Sequence, residues 1–313
     1  MDIRTIDWRD LPILLRYRHR GQFFDTASVL TRGPTLISAA ALLSYLGPAT
    51  GVFTFLAKNE DQKEPILGQV TLSPGSHLAR LSFMAPETAY EGSNSVALLE
   101  YLMIHTGSRG AYHLLAEVDE RSPAFEMLRG SNFALYVRQR IWQMDLCIDG
   151  KEKGTQWRPI EGTDIIAVRS LYNALVPGLV QQIEPPPDDN ISGLVYWQEN
   201  ELLAYAEVRS GSHGIWIQPF IHPDVKDVTD CLVSLFCHLP NRRSRVVYLC
   251  VRSYQSWMEH DLEELQASVG PPQAVMVRHL AVTKKAERAF AIPALEGKQP
   301  EATVPYAQVE SKN

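Results

Sequence analysis

Cysteine is scarce in this chain, long apolar runs are missing and neither sign of charge dominates. The four cysteines, Cys147, Cys231, Cys237 and Cys250, include no CxxC pair, so the usual spacing signals for a zinc site or redox motif are lacking. Each is expected to be a buried free thiol. The longest apolar stretches, Leu36 to Leu46 and Val96 to Ile104, are too short and too interrupted to cross a ~30 Å hydrocarbon layer. The N-terminus, Met1-Asp2-Ile3-Arg4, shows no signal-peptide pattern. A cytoplasmic protein without a membrane partner is expected. Thirty basic against 36 acidic residues, a formal charge of −6, give no electrostatic footprint for nucleic acid. A P-loop, a Gly-x-Ser-x-Gly elbow and a Gly-x-Gly-x-x-Gly fingerprint are also missing, so kinase, hydrolase and dehydrogenase readings lack support.

What the chain does contain is a repeat. Arg4-Thr5-Ile6-Asp7 leads to Asp10-Leu11 and an apolar helical stretch, and Arg158-Pro159-Ile160-Glu161 leads to Asp164-Ile165 and another. Arg4 and Arg158 stand 154 positions apart, and so do Asp10 and Asp164. The 313 residues accommodate two units of about 150, each able to bury a core. The expected division is 1–147, a polar glycine-flanked linker over 148–156, and 157–287. Pro, Glu, Gln and Lys dominate from 288 to 313, a tail expected to be disordered.

Both halves predict the same order of elements. In the first, a strand from Ile3 and helices over 11–24 and 36–46 precede strands over 52–57, 66–72 and 79–84. A helix over 95–106 follows, with Val96, Leu99, Leu102 and Met103 on one face. A central strand over 112–118, a helix from Ser122-Pro123 to Arg129 and a strand over 133–144 complete the half. The second half runs through a helix over 165–183 bent at Pro177-Gly178, strands over 194–197, 202–208 and 214–220, and a helix over 228–239. A strand over 246–251, a short helix over 257–265 and a strand over 274–282 close it.

This order resembles the GNAT superfamily of acetyl-CoA-dependent N-acetyltransferases, in two tandem copies. Ile221-His222-Pro223-Asp224 is similar to the phrase that ends the family's strand before the cofactor loop. Leu115-Ala116-Glu117-Val118, Ser122-Pro123-Ala124-Phe125-Glu126-Met127-Leu128 and Asn132-Phe133 are similar to its later strand, helix and Gly-Phe turn. Asn132 replaces the usual glycine there, and asparagine tolerates a left-handed backbone better than other side chains. The resemblance implies an α/β fold of tandem GNAT-like domains, each a mostly antiparallel mixed sheet with splayed central strands and helices on both faces. It also implies acetyl-CoA as acyl donor and a small-molecule or peptide amine as acceptor. Pairing of sheet edges into a homodimer is compatible with it.

The family's pyrophosphate loop, Arg/Gln-x-x-Gly-x-Gly/Ala at a helix start, places backbone N–H groups on phosphate. Here the first copy reads Tyr90-Glu91-Gly92-Ser93-Asn94-Ser95, with serines at the glycine positions. The second reads Lys226-Asp227-Val228-Thr229-Asp230-Cys231, where two aspartates would face an anion. By resemblance the cofactor residues are Phe83, Met84 and Ala85 on the strand and Ser93, Asn94, Ser95 and Val96 at the loop. Glu117 is the candidate general base, with Glu87 and Asp119 as further carboxylates near the strands. The family's tyrosine acid is replaced by Leu128 and Leu262. The first copy is therefore the expected cofactor site, and a non-catalytic ligand-binding or interaction module is the competing reading. His222 is expected to close a turn, His113 to be packed or at an edge, and Arg138-Gln139-Arg140 to form a salt-bridged edge.

Overall fold

A computed structural model describes residues 2–17, 19–33, 50–58, 64–144, 157–187, 192–239, 242 and 245–280. The helix expected over 36–46, the 148–156 linker and the 288–313 tail lie outside the described residues. The described residues belong to one compact unit, Met1–Thr283.

The repeated arginine and aspartate form the same clasp in both halves. Strand β1 (Asp2–Thr5) carries Arg4, whose guanidinium meets the Asp10 carboxylate in two hydrogen bonds of 2.6 and 2.7 Å. Arg158, on β8 (Trp157–Pro159), meets Asp164 in two of 2.7 Å. Each aspartate also accepts the N–H three residues back, Asp7 at 2.8 Å and Glu161 at 2.9 Å. These bidentate pairs start helices α1 (Leu11–Tyr17) and, in the second half, α5 (Ile165–Leu175).

The first half continues through β2 (Gln22–Phe23), α2 (Thr26–Arg32), β3 (Val52–Lys58), β4 (Ile66–Leu72) and β5 (Leu78–Ala85). Helix α3 (Ser93–Gly107), β6 (His113–Asp119), α4 (Pro123–Gly130) and β7 (Ala134–Met144) follow. The second half has α6 (Gly178–Gln181), β9 (Gly193–Gln198), β10 (Glu201–Ser210), β11 (Gly214–Ile221) and α7 (Val228–Cys237). Strand β12 (Val246–Arg252), α8 (Glu259–Glu264), β13 (Ser268–Val269) and β14 (Gln273–His279) end it.

Three sequence expectations need correction. The helix expected over 11–24 stops at Tyr17, because the chain must re-enter the sheet: a Cβ on Gly21 would lie 2.5 Å from the Met84 carbonyl oxygen. Pro177 breaks the helix expected over 165–183 into α5 and α6, with Val176 extended between them. On α3 the core face is Leu98, Leu99 and Leu102, against Gly68 on β4, while Val96 and Met103 are half-buried. Asn132 takes the left-handed conformation expected of it, at φ 61°.

One mixed sheet runs through both halves in the order β1-β3-β4-β5-β6-β14-β7-β12-β11-β10-β9-β8, with β2 beside β5 and β13 beside β7. Read outward from the middle, the two halves match strand for strand, except that the closing strands have traded places. Strand β14, the last of the second half, pairs with β6 of the first, and β7 of the first pairs with β12 of the second. The two exchanged strands also pair with each other. Ala274 to Val277 are buried, as a strand bonded on both edges requires. Helices α3 and α4 cover one face of the first half, and α7 and α8 cover that of the second. Helix α2 crosses over to pack on β11.

Two outcomes follow. Removing residues 273–313 should strip hydrogen-exchange protection from residues 114–118 of β6, about 150 positions from the cut, and retained protection there would contradict the exchange. The Arg4 and Arg158 guanidiniums hold the Asp10 and Asp164 carboxyls below their ordinary range. A depressed folded pKa gives stability that is present above the unfolded value and lost as pH falls through the folded one, so the clasps should weaken below about pH 4. Asp164→Ala should cost about 1 kcal/mol at pH 7 in urea titrations, with a smaller difference from wild type at pH 3.

Candidate functional site

Each half contains a fork between parallel strands. Strands β5 and β6 pair from Leu78 with His113 to Arg80 with Leu115, and then diverge. Strands β11 and β12 pair from Gly214 with Val246 to Ile217 with Leu249, and then diverge. Diverging strands leave backbone N–H and C=O groups without sheet partners, and buried groups of that kind require others.

In the first fork the partners come from the chain between α1 and α2. Gln22 and Phe23 pair with Met84 and Phe83, the Phe24 N–H donates to Ser82 O at 3.1 Å, and the Glu117 N–H donates to Phe24 O at 2.9 Å. One residue, Phe24, thus bridges both strands. The Tyr90 hydroxyl donates to Met84 O at 2.8 Å and accepts from the Gln22 N–H at 3.2 Å. In the second fork a side chain does this work: the buried Gln255 amide donates to Pro219 O at 2.7 Å and accepts from the Ile221 N–H at 3.1 Å.

The helix starts beside the two forks differ. Helix α3 follows Gly92, and no side chain caps it. It opens on a cleft of about 630 Å³ between its first turn and that of α4, lined by Tyr90 to Ser93, Val96, Arg121 and Ser122. Helix α7 is capped by Asp227, which accepts the Asp230 N–H at 2.8 Å, so a carboxylate of the chain stands at its positive end. Lys226 is ion-paired with Glu199.

The residues anticipated from sequence fall into two groups. Ser93 and Val96 line the cleft. Ser95 is buried, its hydroxyl donating to Gly92 O and Tyr90 O, and Asn94 is buried beside it. Phe83, Met84 and Ala85 are fully buried on β5 at the fork and do not line the cleft. Glu117 stands at the fork, 4% exposed, where it accepts the Thr26 N–H at 3.0 Å and meets Arg80 at 3.4 Å. Glu87 opens the short 3-10 turn after β5 and is exposed, and Asp119 ends β6, where its side chain accepts the Arg121 N–H. His222 accepts the Asp224 N–H and closes its turn. His113 meets His279 at 3.0 Å. Arg138 and Arg140 pair with Glu120 and Glu259, while Gln139 between them is buried. Cys231 and Cys250 are buried, and burial pushes both thiols up to about 12, away from reactive thiolate. Cys237 is exposed, against expectation, because it ends α7 on its outer side. Cys147 lies outside the described residues.

A buried ionic cluster between the halves was missed from sequence. Arg252, at the end of β12, pairs with Glu184 at 3.2 Å, and the Tyr136 hydroxyl donates to the same carboxylate. Burial raises the Tyr136 pKa, and Glu184 adds to it, so the phenol keeps its proton. Burial opposes the Glu184 charge, but Arg252 and Arg80 outweigh it and hold the carboxyl below its usual range. Burial likewise opposes the charge on Arg80, and Asp25, Glu117 and Glu184 outweigh it. The available signal was an arginine in each of two largely apolar strands, Arg80 within β5 and Arg252 at the end of β12.

No protein-family model matches the chain, and no curated protein does. Solved structures do match. A GCN5-related N-acetyltransferase from Sphaerobacter thermophilus superposes with a TM-score of 0.55 at 11% identity, covering 89% of this chain and 95% of that one. A putative acetyltransferase from Pyrococcus horikoshii gives 0.51 at 13%, covering 90% of both. These likenesses define the class: the fold is that of the GNAT acetyltransferases. A tandem GNAT protein from the clavulanic acid biosynthesis pathway gives 0.51 at 12%, covering 90% of this chain and 99% of that one. The chain has the tandem form of that fold.

The second fork supplies a test of the closure. Gln255→Leu keeps the volume but leaves Pro219 O and the Ile221 N–H buried without partners. It should cost about 2–4 kcal/mol in chemical denaturation. A loss below 0.5 kcal/mol, on the order of an ordinary surface substitution, would show that the amide does not bridge the fork.

Proposed function

We propose that the protein is an acetyl-CoA-dependent N-acyltransferase whose first half holds the cofactor and whose acceptor is a primary amine on a small molecule or peptide. The observation that carries this reading is the contrast between the two helix starts: α3 begins at Gly92 without a side-chain cap and faces a cleft, whereas Asp227 fills that place on α7. The cleft fits the group in part. Its small residues Gly92 and Ser93 admit a close approach to phosphate, and Arg121 supplies a cation. Glu91 and Glu126 on the same walls oppose one, although Glu126 is paired with Arg129 at 3.5 Å. Gly92, Ser93 and Arg121 would hold the phosphates, and Val96 would lie along the arm. Bound there, acetyl-CoA supplies a thioester carbonyl. Glu117 is the carboxylate at the fork able to accept the amine proton, once Gln22 to Thr26 withdraw and release it from the Thr26 N–H. The compartment consistent with this reading is the cytoplasm, and neither nucleic acid nor a membrane is required as partner.

A second reading, a non-catalytic ligand-binding or interaction module, is favoured by a separate observation. Both forks are closed by the chain's own groups, Phe24 in one and Gln255 in the other.

Calorimetric titration of acetyl-CoA into the full-length protein, followed by an assay for free thiol with a panel of amines, decides between them. The expected result is binding near one equivalent, lost in Ser93→Arg, with amine-dependent thiol release. Binding without thiol release would favour the second reading, and no heat together with an unchanged melting temperature would overturn the acetyl-CoA site itself.

A further inference from the structure

One cavity lies on the face of the first-half sheet opposite α3, beside a second lined mostly by the second half. Alternation along β4 shows this: Gly68 meets Leu98 and Leu102 of α3, while Gln69 and Thr71 line the larger cavity, of about 530 Å³. The smaller, of about 280 Å³, adjoins β10 and β11. Leu78, Arg80 and Arg209 line both, so the two are neighbours across the junction of the halves.

We infer that the larger cavity binds a small organic anion, a carboxylate or a phosphate ester, through Arg80 and Arg32. Its described lining holds three arginines, Arg32, Arg80 and Arg209, against one carboxylate, Asp25. Asp25 is engaged at the start of α2, accepting from the Ser28 N–H at 3.2 Å and the Ser28 hydroxyl at 2.7 Å. Arg209 is engaged with Glu207 at 2.7 Å. That leaves Arg32 and Arg80 to meet an anion, although the Asp25 carboxylate, with Glu117 and Glu184, already attracts the Arg80 guanidinium. Arg32 is exposed and makes no ion pair among the described residues. Arg80 is only 23% exposed, and among the described residues its one ion pair is to Glu117 at 3.4 Å, beyond the usual N–H···O range. A guanidinium carries five N–H donors in a planar fork that matches carboxylate or phosphate oxygens in pairs. A buried one with a single long contact therefore has donors to offer a ligand, and desolvation makes a charge-assisted bond there stronger than one in water.

The remainder of the lining sets the ligand's size and body. Phe23, Val29, Val52 and Leu78 give apolar wall, which inorganic anions do not use and an organic skeleton does. The volume lies in the range of small-molecule sites. The neighbouring cavity adds Glu184, Glu207 and the ring of Tyr205, which stacks on Phe220 at 5.9 Å. A ligand reaching past Arg80 would meet acidic and aromatic surface there. This binding depends on neither acetyl-CoA nor the α3 cleft.

The test uses the full-length protein without acetyl-CoA. Citrate and inorganic phosphate are titrated separately by calorimetry and thermal melting, each against sodium chloride at matched ionic strength. Saturable binding of either near one equivalent is expected, with citrate preferred if the partner is a carboxylate and phosphate preferred if it is a phosphoryl group. Arg32→Gln should weaken it about tenfold, since a hydrogen bond to a charged group is worth somewhat more than a factor of ten. Arg80→Gln should abolish it. Because Arg80→Gln leaves Glu117 buried without its cation, Arg32→Gln, at an exposed side chain, carries the decision if the other variant does not fold. Ser93→Arg should leave anion binding unchanged while removing any acetyl-CoA binding, which separates the two sites. No saturable binding beyond the chloride control, or binding unaffected by Arg32→Gln, overturns the inference.

Discussion

The pairing of β14 with both β6 and β7 is the interaction on which the rest of the structure depends. It turns two repeats into one sheet, so neither half owns all the strands that complete its core. It also fixes the separation of the two forks, because β6 and β12 are spaced by two hydrogen-bonded strands. The contact of α2 with β11 strengthens the same tie. The His213 N–H donates to Thr31 O at 2.8 Å, and a Cβ on Gly211 would lie 2.1 Å from that oxygen. Glycine is required there by close approach of backbone, as in other tight junctions. The ionic cluster and the two cavities lie where these ties bring the halves together.

The repeats have kept their mechanical parts and lost their chemical equivalence. The Arg–Asp clasps agree within about 0.1 Å in length, and the strand orders are mirror images. The forks agree only in being closed, one by the backbone of Phe24 and the other by the side chain of Gln255. The helix starts do not agree at all. An uncapped helix N-terminus attracts anions and a carboxylate-capped one does not, so the same fold offers one open and one occupied position. Such divergence is expected when a fold constrains the scaffold and only local groups decide what binds.

How much of this was legible in the sequence depends on the range of the signal. Arg4, Asp10 and their copies announced the duplication because a clasp is local, its partners six positions apart. The strand and helix order was legible from periodicity, and Asp227 was legible as a negative charge at a helix start. The exchange of β7 and β14 was not, since alternation of side chains says which face a strand buries and nothing about which strand lies beside it. The closure of the first fork was hidden for a different reason. Gln22, Phe23 and Phe24 fall at the end of the stretch that reads as helix over 11–24, and only the close approach at Gly21 and the unpaired groups of β5 draw them into the sheet. Arg80 and Arg252 stood in plain view, but their partners Glu117 and Glu184 come from elements distant in sequence.

The interleaved strands also bear on how the chain is made. A polypeptide leaves the ribosome from its N-terminus, and domains usually fold as they emerge. Here the last described strand, β14, is the one that seals the edge of β6, synthesised some 150 residues earlier. Until residues 273–279 appear, the growing chain carries an apolar strand with an open edge, the state most prone to pairing with a neighbour. The long-range contacts that finally close it also slow folding.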